Sequence, residues 1–121
     1  MTTIQNFTDL IVYQKAHVLV LKVYKTTSVF PKEEIFGITS QMRRSAISIT
    51  SNIAEGFGRN HARDKQQFYA IAKGSVLELQ SQILISCDLK FIKQELSKEL
   101  NENILEITKL LAGIIRSADS R

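Results

Sequence analysis

The chain is poor in the residues that interrupt helices. Among its 121 residues are one proline, Pro31, five glycines and no tryptophan. So few breakers argue against many short strands joined by tight turns and favour long helices. Cysteine is just as scarce. Cys87 stands alone, which excludes an intrachain disulfide and fits a reducing, cytoplasmic setting. The two histidines, His17 and His61, have no His or Cys partner three or four residues away, and no Glu-x-x-His pair offers a di-iron site. There is no Gly-x-Ser-x-Gly elbow for a nucleophile, and no Lys-Ser/Thr follows the Gly-x-Gly at 56–58 to make a P-loop. No apolar run approaches the roughly 20 residues of a membrane span, and residues 1–6 lack the basic-then-apolar order of a signal peptide. The reading is therefore no catalytic residue, no metal, no cofactor and no membrane.

What is present points to one helical domain spanning residues 1–121. The hydrophobic share of 44% is that of a globular chain, and the length suffices to bury a core without staples. The spacing predicts four helices, at about 8–28, 33–55, 62–90 and 97–117. In the first, Thr8 is read as the N-cap. Leu10, Tyr13, His17, Val20 and Tyr24 form one apolar stripe, and Val12, Ala16, Leu19 and Val23 form a second. A helix in a lone bundle needs one apolar face, so Val12, Tyr13, Leu19 and Val23 are the expected oligomer interface. In the second helix, Ile35, Ile38, Met42, Ala46, Ile49 and Ile53 recur at helical spacing as a core stripe, and Gly56 and Gly58 are read as left-handed C-caps. In the third, Asn60 is the expected cap, and the small residues Ala72, Gly74 and Ser75 predict something large against them. The fourth is capped by Ser97. Four long helices with short connections predict an all-α, antiparallel, up-down-up-down bundle.

Charge is unevenly placed. The net formal charge is +4, and residues 40–75 alone hold Arg43, Arg44, Arg59, Arg63, Lys65 and Lys73 against Glu55 and Asp64. Such a cluster is an electrostatic footprint for a polyanion. The segment Asn52 to Arg63 also closes one helix and opens the next. The free N–H groups there, beside Arg59, Arg63 and Lys65, favour a phosphate. Tyr69 is the aromatic expected to lie exposed and stack on a base. The competing reading is a well-made helical turn with solvated arginines.

Several of these segments carry a family resemblance. Asp9-Leu10-x-Val12-Tyr13-x-x-Ala16, Phe30-Pro31-x-x-Glu34 and Gln41-Met42-Arg43-Arg44-Ser45-Ala46-x-Ser48-Ile49 lead into Asn52-Ile53-Ala54-Glu55-Gly56-x-Gly58-Arg59. Phe68-x-x-x-Ala72-x-Gly74-Ser75-x-x-Glu78 follows. With these the chain resembles the bacterial four helix bundle proteins named after genes within intervening sequences of 23S ribosomal RNA. Tyr13 stands where that family often has tryptophan. The resemblance marks Asn52, Glu55, Gly56, Gly58, Gly74, Ser75 and Glu78 as signature residues. It implies a four-helix bundle assembled as a homopentamer. It also implies kinship with the accessory protein of diversity-generating retroelements, a basic pentamer that works with nucleic acid and a reverse transcriptase; together with the basic cluster this makes nucleic acid the expected partner, RNA ahead of DNA. It implies no enzymatic activity.

Overall fold

The structure, a computed structural model, describes residues 3–119. Met1 and Thr2, on which the N-terminal targeting reading partly rests, and residues 120–121 lie outside them. Four helices account for most of the chain: α1 Ile11–Thr27, α2 Ile38–Phe57, α3 Ala62–Asp88 and α4 Gln94–Asp119. Short 3-10 turns at Phe7–Asp9 and Lys32–Glu34 precede α1 and α2, and no strand occurs among the described residues. Cross-contacts fix the directions. Ser48 meets Ser75 and Met42 meets Ser86, so α2 and α3 run antiparallel. Lys15 meets Glu106 and Lys22 meets Asn103, so α1 and α4 do too. The all-α four-helix bundle expected from periodicity is the fold observed.

One apolar cluster joins all four helices. Val12, Ala16, Leu19 and Val23 enter it from α1, and Met42, Ala46, Ile49 and Ile53 from α2. Ala72, Leu79 and Ile83 enter from α3, and Leu100, Ile104, Ile107 and Leu111 from α4. Burying such side chains contributes roughly 1.5–3 kcal/mol each, which makes this cluster the main support of the fold. Val12, Leu19 and Val23 therefore face their own subunit's core and not a neighbour, which corrects the interface reading. Tyr13 is half-buried against Phe7, ring centroids 4.8 Å apart. The surplus apolar residues of α1 are others, Ile11, Val18 and Leu21, all exposed.

The helix ends depart from the expected positions for local reasons. Asp9, not Thr8, organises the entry: its carboxylate accepts the backbone N–H of Gln5 at 2.9 Å and of Asn6 at 3.0 Å. Lys32 to Glu34 curl into a separate turn, and the Glu34 carboxylate accepts the N–H of Ile38, so α2 starts five residues later than the periodicity implies. Ile35 consequently leaves the core stripe and is exposed, beside a Phe36 that is 95% exposed. His61 rather than Asn60 takes the N-cap position of α3, and Ser97 lies buried inside α4, which begins at Gln94. Neither Gly56 nor Gly58 adopts a left-handed conformation. The sole positive φ among the described residues is at Lys90, 68°, where the chain turns out of α3.

The two interior glycines differ sharply. A Cβ on Gly56 would fall 2.5 Å from Cε1 and 2.8 Å from Cδ1 of the Tyr69 ring, whereas one on Gly74 would meet nothing within 4 Å. The large group expected against Gly74 is thus absent from the subunit, and the close approach occurs at Gly56. Gly56→Ala is expected to lower stability by about 1–3 kcal/mol through overpacking. Gly74→Ala is expected to raise it by about 0.4–1 kcal/mol through lost unfolded-state freedom. Urea titration of both variants checks this; a stabilised G56A or a destabilised G74A contradicts it.

Asp9 supplies a pH signature. Its two backbone hydrogen bonds hold the carboxyl below its ordinary value. A depressed folded-state pKa contributes stability above the unfolded pKa of about 3.9 and loses it as pH falls through the folded value. Asp9→Ala is expected to lower Tm at pH 7, with the difference from the parent shrinking as pH drops below 4. An equal Tm deficit at pH 7 and pH 2.5 contradicts this.

Candidate functional site

The hairpin of α2 and α3 carries the six cations and all seven signature residues. Its seam is polar and tightly bonded. The Ser48 and Ser75 hydroxyls share a hydrogen bond at 2.7 Å, and the Asn52 amide donates to the Ser48 carbonyl at 2.8 Å and to its hydroxyl at 3.1 Å. Ser48 and Ser75 thus fasten the two helices, and Asn52 holds Ser48 in place from within α2. Small side chains are needed for that contact, which accounts for a serine on each side of the seam.

The fold itself engages three of the six cations. Arg43 turns toward α1, where its Nε donates to the Thr27 hydroxyl at 2.9 Å and its guanidinium lies 4.6 Å from the centre of the Tyr24 ring. Lys65 reaches back to the end of α2, where its ammonium donates to the Phe57 carbonyl at 2.8 Å and the Gly56 carbonyl at 3.3 Å. A cation on the last carbonyls of a helix offsets the negative end of its dipole. Arg59 donates to Glu55 at 3.1 Å and stacks over Phe68 at 4.5 Å. That pair is solvent-exposed on both sides and contributes at most ~1 kcal/mol.

Arg44, Arg63 and Lys73 are exposed and make no ion pair or hydrogen bond among the described residues. The cations do not converge. Arg43 and Arg44 are adjacent on a helix and so point about 100° apart, one into the α1 seam and one into solvent. The phosphate cradle expected at the start of α3 is not assembled, because Lys65 is directed at the α2 carbonyls and Arg59 at Glu55 and Phe68. Tyr69 is 4% exposed and is no stacking platform. It fills the space that Gly56 leaves. Burial of Tyr69 has a signal in the sequence, since it stands three residues before Ala72 on the inward face. Glu78, the last signature residue, is exposed.

No group of three His, Cys, Asp or Glu side chains gathers at metal-binding distance among the described residues. Cys87 is a free thiol, half-buried on α3. No helix among the described residues is long and apolar enough to cross a membrane.

Sequence reasoning expected an apolar surplus on α1 but assigned it to the wrong residues, and it missed the exposed apolar residues of α3 and α4. Ile11, Val18 and Leu21 lie along α1, Leu77 and Leu84 along α3, and Leu105 on α4. Leu84, Cys87, Asn101 and Leu105 line an open groove between α3 and α4, together with Asp88, Glu95, Glu102 and Lys98. Periodicity alone hides this, because each residue sits on a helix whose inward stripe is already accounted for.

Comparison with known proteins agrees with this architecture. A crystal structure of a protein with unknown function from the S23 ribosomal protein family of Bacteroides thetaiotaomicron VPI-5482 superposes with a TM-score of 0.81. The match is at 24% identity, over 88% of this chain and 96% of that one. At that identity the likeness is one of fold. No curated protein matches the chain. The family model described as 23S rRNA-intervening sequence protein matches residues 8–113, which takes in all of the signature segments, and the chain belongs to that family.

Proposed function

We propose that the protein is a non-enzymatic homo-oligomer whose assembled surface binds nucleic acid, RNA in preference to DNA. The observation that carries the nucleic-acid part is the set of exposed, uncommitted cations, Arg44, Arg63 and Lys73, on the α2–α3 hairpin. Three cations on one subunit are a thin footprint. Repeated around an oligomer they become a band, and a band suits a polyanion whose phosphates recur along a backbone. The exposed apolar residues of α1, α3 and α4 support assembly, because monomeric surfaces seldom leave that much aliphatic side chain in water. A five-membered ring is the number the family resemblance suggests.

A second reading, a protein–protein scaffold without nucleic acid, draws on Arg43, Arg59 and Lys65, which already serve contacts inside the subunit. The two readings part on one measurement. Under the first, RNA affinity falls steeply between 50 and 200 mM salt, and R44E/R63E weakens binding by about tenfold or more while flattening the salt slope by about one per lost phosphate contact. R43A, by contrast, loses stability with little change in the salt slope. Absence of binding at low salt, or an affinity indifferent to R44E/R63E, leaves the scaffold reading. Light scattering that finds a mass of 13.7 kDa at micromolar concentration rejects the oligomer in both.

A further inference from the structure

From two faces of opposite character we infer that the assembly is head-to-tail: the exposed ridge of α1 in one copy seats in the α3–α4 groove of the next. The inference rests on the homo-oligomer proposed above and specifies its contact. The ridge is Ile11, Val18, Leu21 and Lys25, which recur at the heptad-like spacing that places side chains on one line of a helix. The first three are 47–60% exposed. The inward residues Val12, Ala16, Leu19 and Val23 lie on a different line, so this face is surplus to the subunit's own core. In the groove, Leu84 and Leu105 are 62% and 56% exposed and flank a hollow floored by Cys87 and Asn101. One surface is convex and apolar and the other concave and apolar.

Charge makes the pair complementary. Helix α1 holds three lysines and no acidic residue at all. The groove is bordered by Asp88, Glu95 and Glu102 against the single Lys98. Lys15 and Lys22 already serve Glu106 and Asn103 of their own subunit, so Lys25 is the ridge's own charge; a second ridge offers it no carboxylate, and two grooves would place carboxylates against carboxylates. Ridge against groove is the combination that opposes unlike charges, which selects the partner surface more than it adds affinity. Lys25, the ridge's lower end, has no ion pair or hydrogen bond among the described residues. It is available to those acids.

The groove also lies level with the C-terminal part of the ridge. Lys15 to Glu106 and Lys22 to Asn103 fix the register of α1 against α4, so Val18 is level with Leu105. Arg43 meets Tyr24 and Thr27, and Met42 meets Ser86, which brings Leu84 level with Lys25. A head-to-tail contact generates a ring if its rotation closes and a filament if it climbs. Ridge and groove overlap in height between Val18 and Lys25, so the contact needs no climb. Only α4 separates ridge from groove around the bundle, so each contact turns the next copy instead of continuing in a straight line.

The test is complementation between two defective faces. L21E spoils only the ridge and L105E only the groove. Both sites are exposed, so circular dichroism melting is expected to match the parent. Each variant alone is expected to fall from the parental mass to 13.7 kDa in light scattering. An equimolar mixture is expected to give a dimer of twice that mass and nothing larger, because one sound ridge and one sound groove remain per pair. As a second measurement independent of those folds, Lys25→Cys with the native Cys87 is expected to yield a ladder of covalent multimers with a short thiol-reactive cross-linker. The parent, with Cys87 alone, should give no ladder. Retention of the parental mass by either variant, or a mixture that stays monomeric, overturns the head-to-tail contact while leaving the oligomer intact. A monomeric parent overturns the oligomer itself.

Discussion

The approach of Tyr69 to Gly56 governs the α2–α3 hairpin. A side chain on residue 56 would overlap the tyrosine ring, so the hydrogen of glycine sets how near the two helices come. At that separation Lys65 can span from one turn of α3 to the last carbonyls of α2. Farther along, two serine hydroxyls can touch across the seam, and Asn52 ties one of them to its own helix. Widen the contact by the thickness of a methyl group and these bonds lengthen together. The apolar core gives the bundle most of its free energy, but it would accept several spacings. Short polar side chains accept one, and this is how a sparse set of hydrogen bonds narrows a liquid-like choice of packings to a single arrangement.

That constraint also explains why the basic cluster means less as a ligand site than as a count of charges. Arginine and lysine are long enough to serve the structure that carries them. Arg43 covers Tyr24, Arg59 covers Phe68 and Lys65 closes a helix. A guanidinium laid on a ring buries its apolar faces while its edges stay free to donate. The charge remains on the surface in each case, yet its geometry is already spoken for. What is left for a partner is the remainder, and that remainder lies on the outer side of the hairpin.

Much of this fold was legible from periodicity. The core stripe of α2 matched the buried residues from Met42 to Ile53, because large aliphatic side chains at helical spacing have few alternatives. The boundaries were less legible. The Lys32–Glu34 turn keeps helical composition but is cut off by Gly37, and Ile35 mimics a core residue one turn too early. Gly56 and Gly58 looked alike as helix enders, yet one is a packing device inside α2 and the other simply follows it. Distinguishing them requires knowing what sits opposite, a fact that a single helix does not contain. The same holds for Val12, Leu19 and Val23. A surplus of apolar residues on α1 was visible, but which line faces inward depends on three other helices. The cations were found by counting, and their partners only by folding.

Lys90 carries a different lesson. It alone among the described residues takes a left-handed backbone, at the point where Phe91 N–H returns to the Ser86 carbonyl to close α3. Glycine fits that position at no steric penalty, whereas an L side chain there costs on the order of 1 kcal/mol. A chain that keeps lysine at such a place holds an unused reserve of stability. Natural chains need only clear a stability threshold, and a lysine on the outer tip, where the most rigid sequence would have none, is compatible with that.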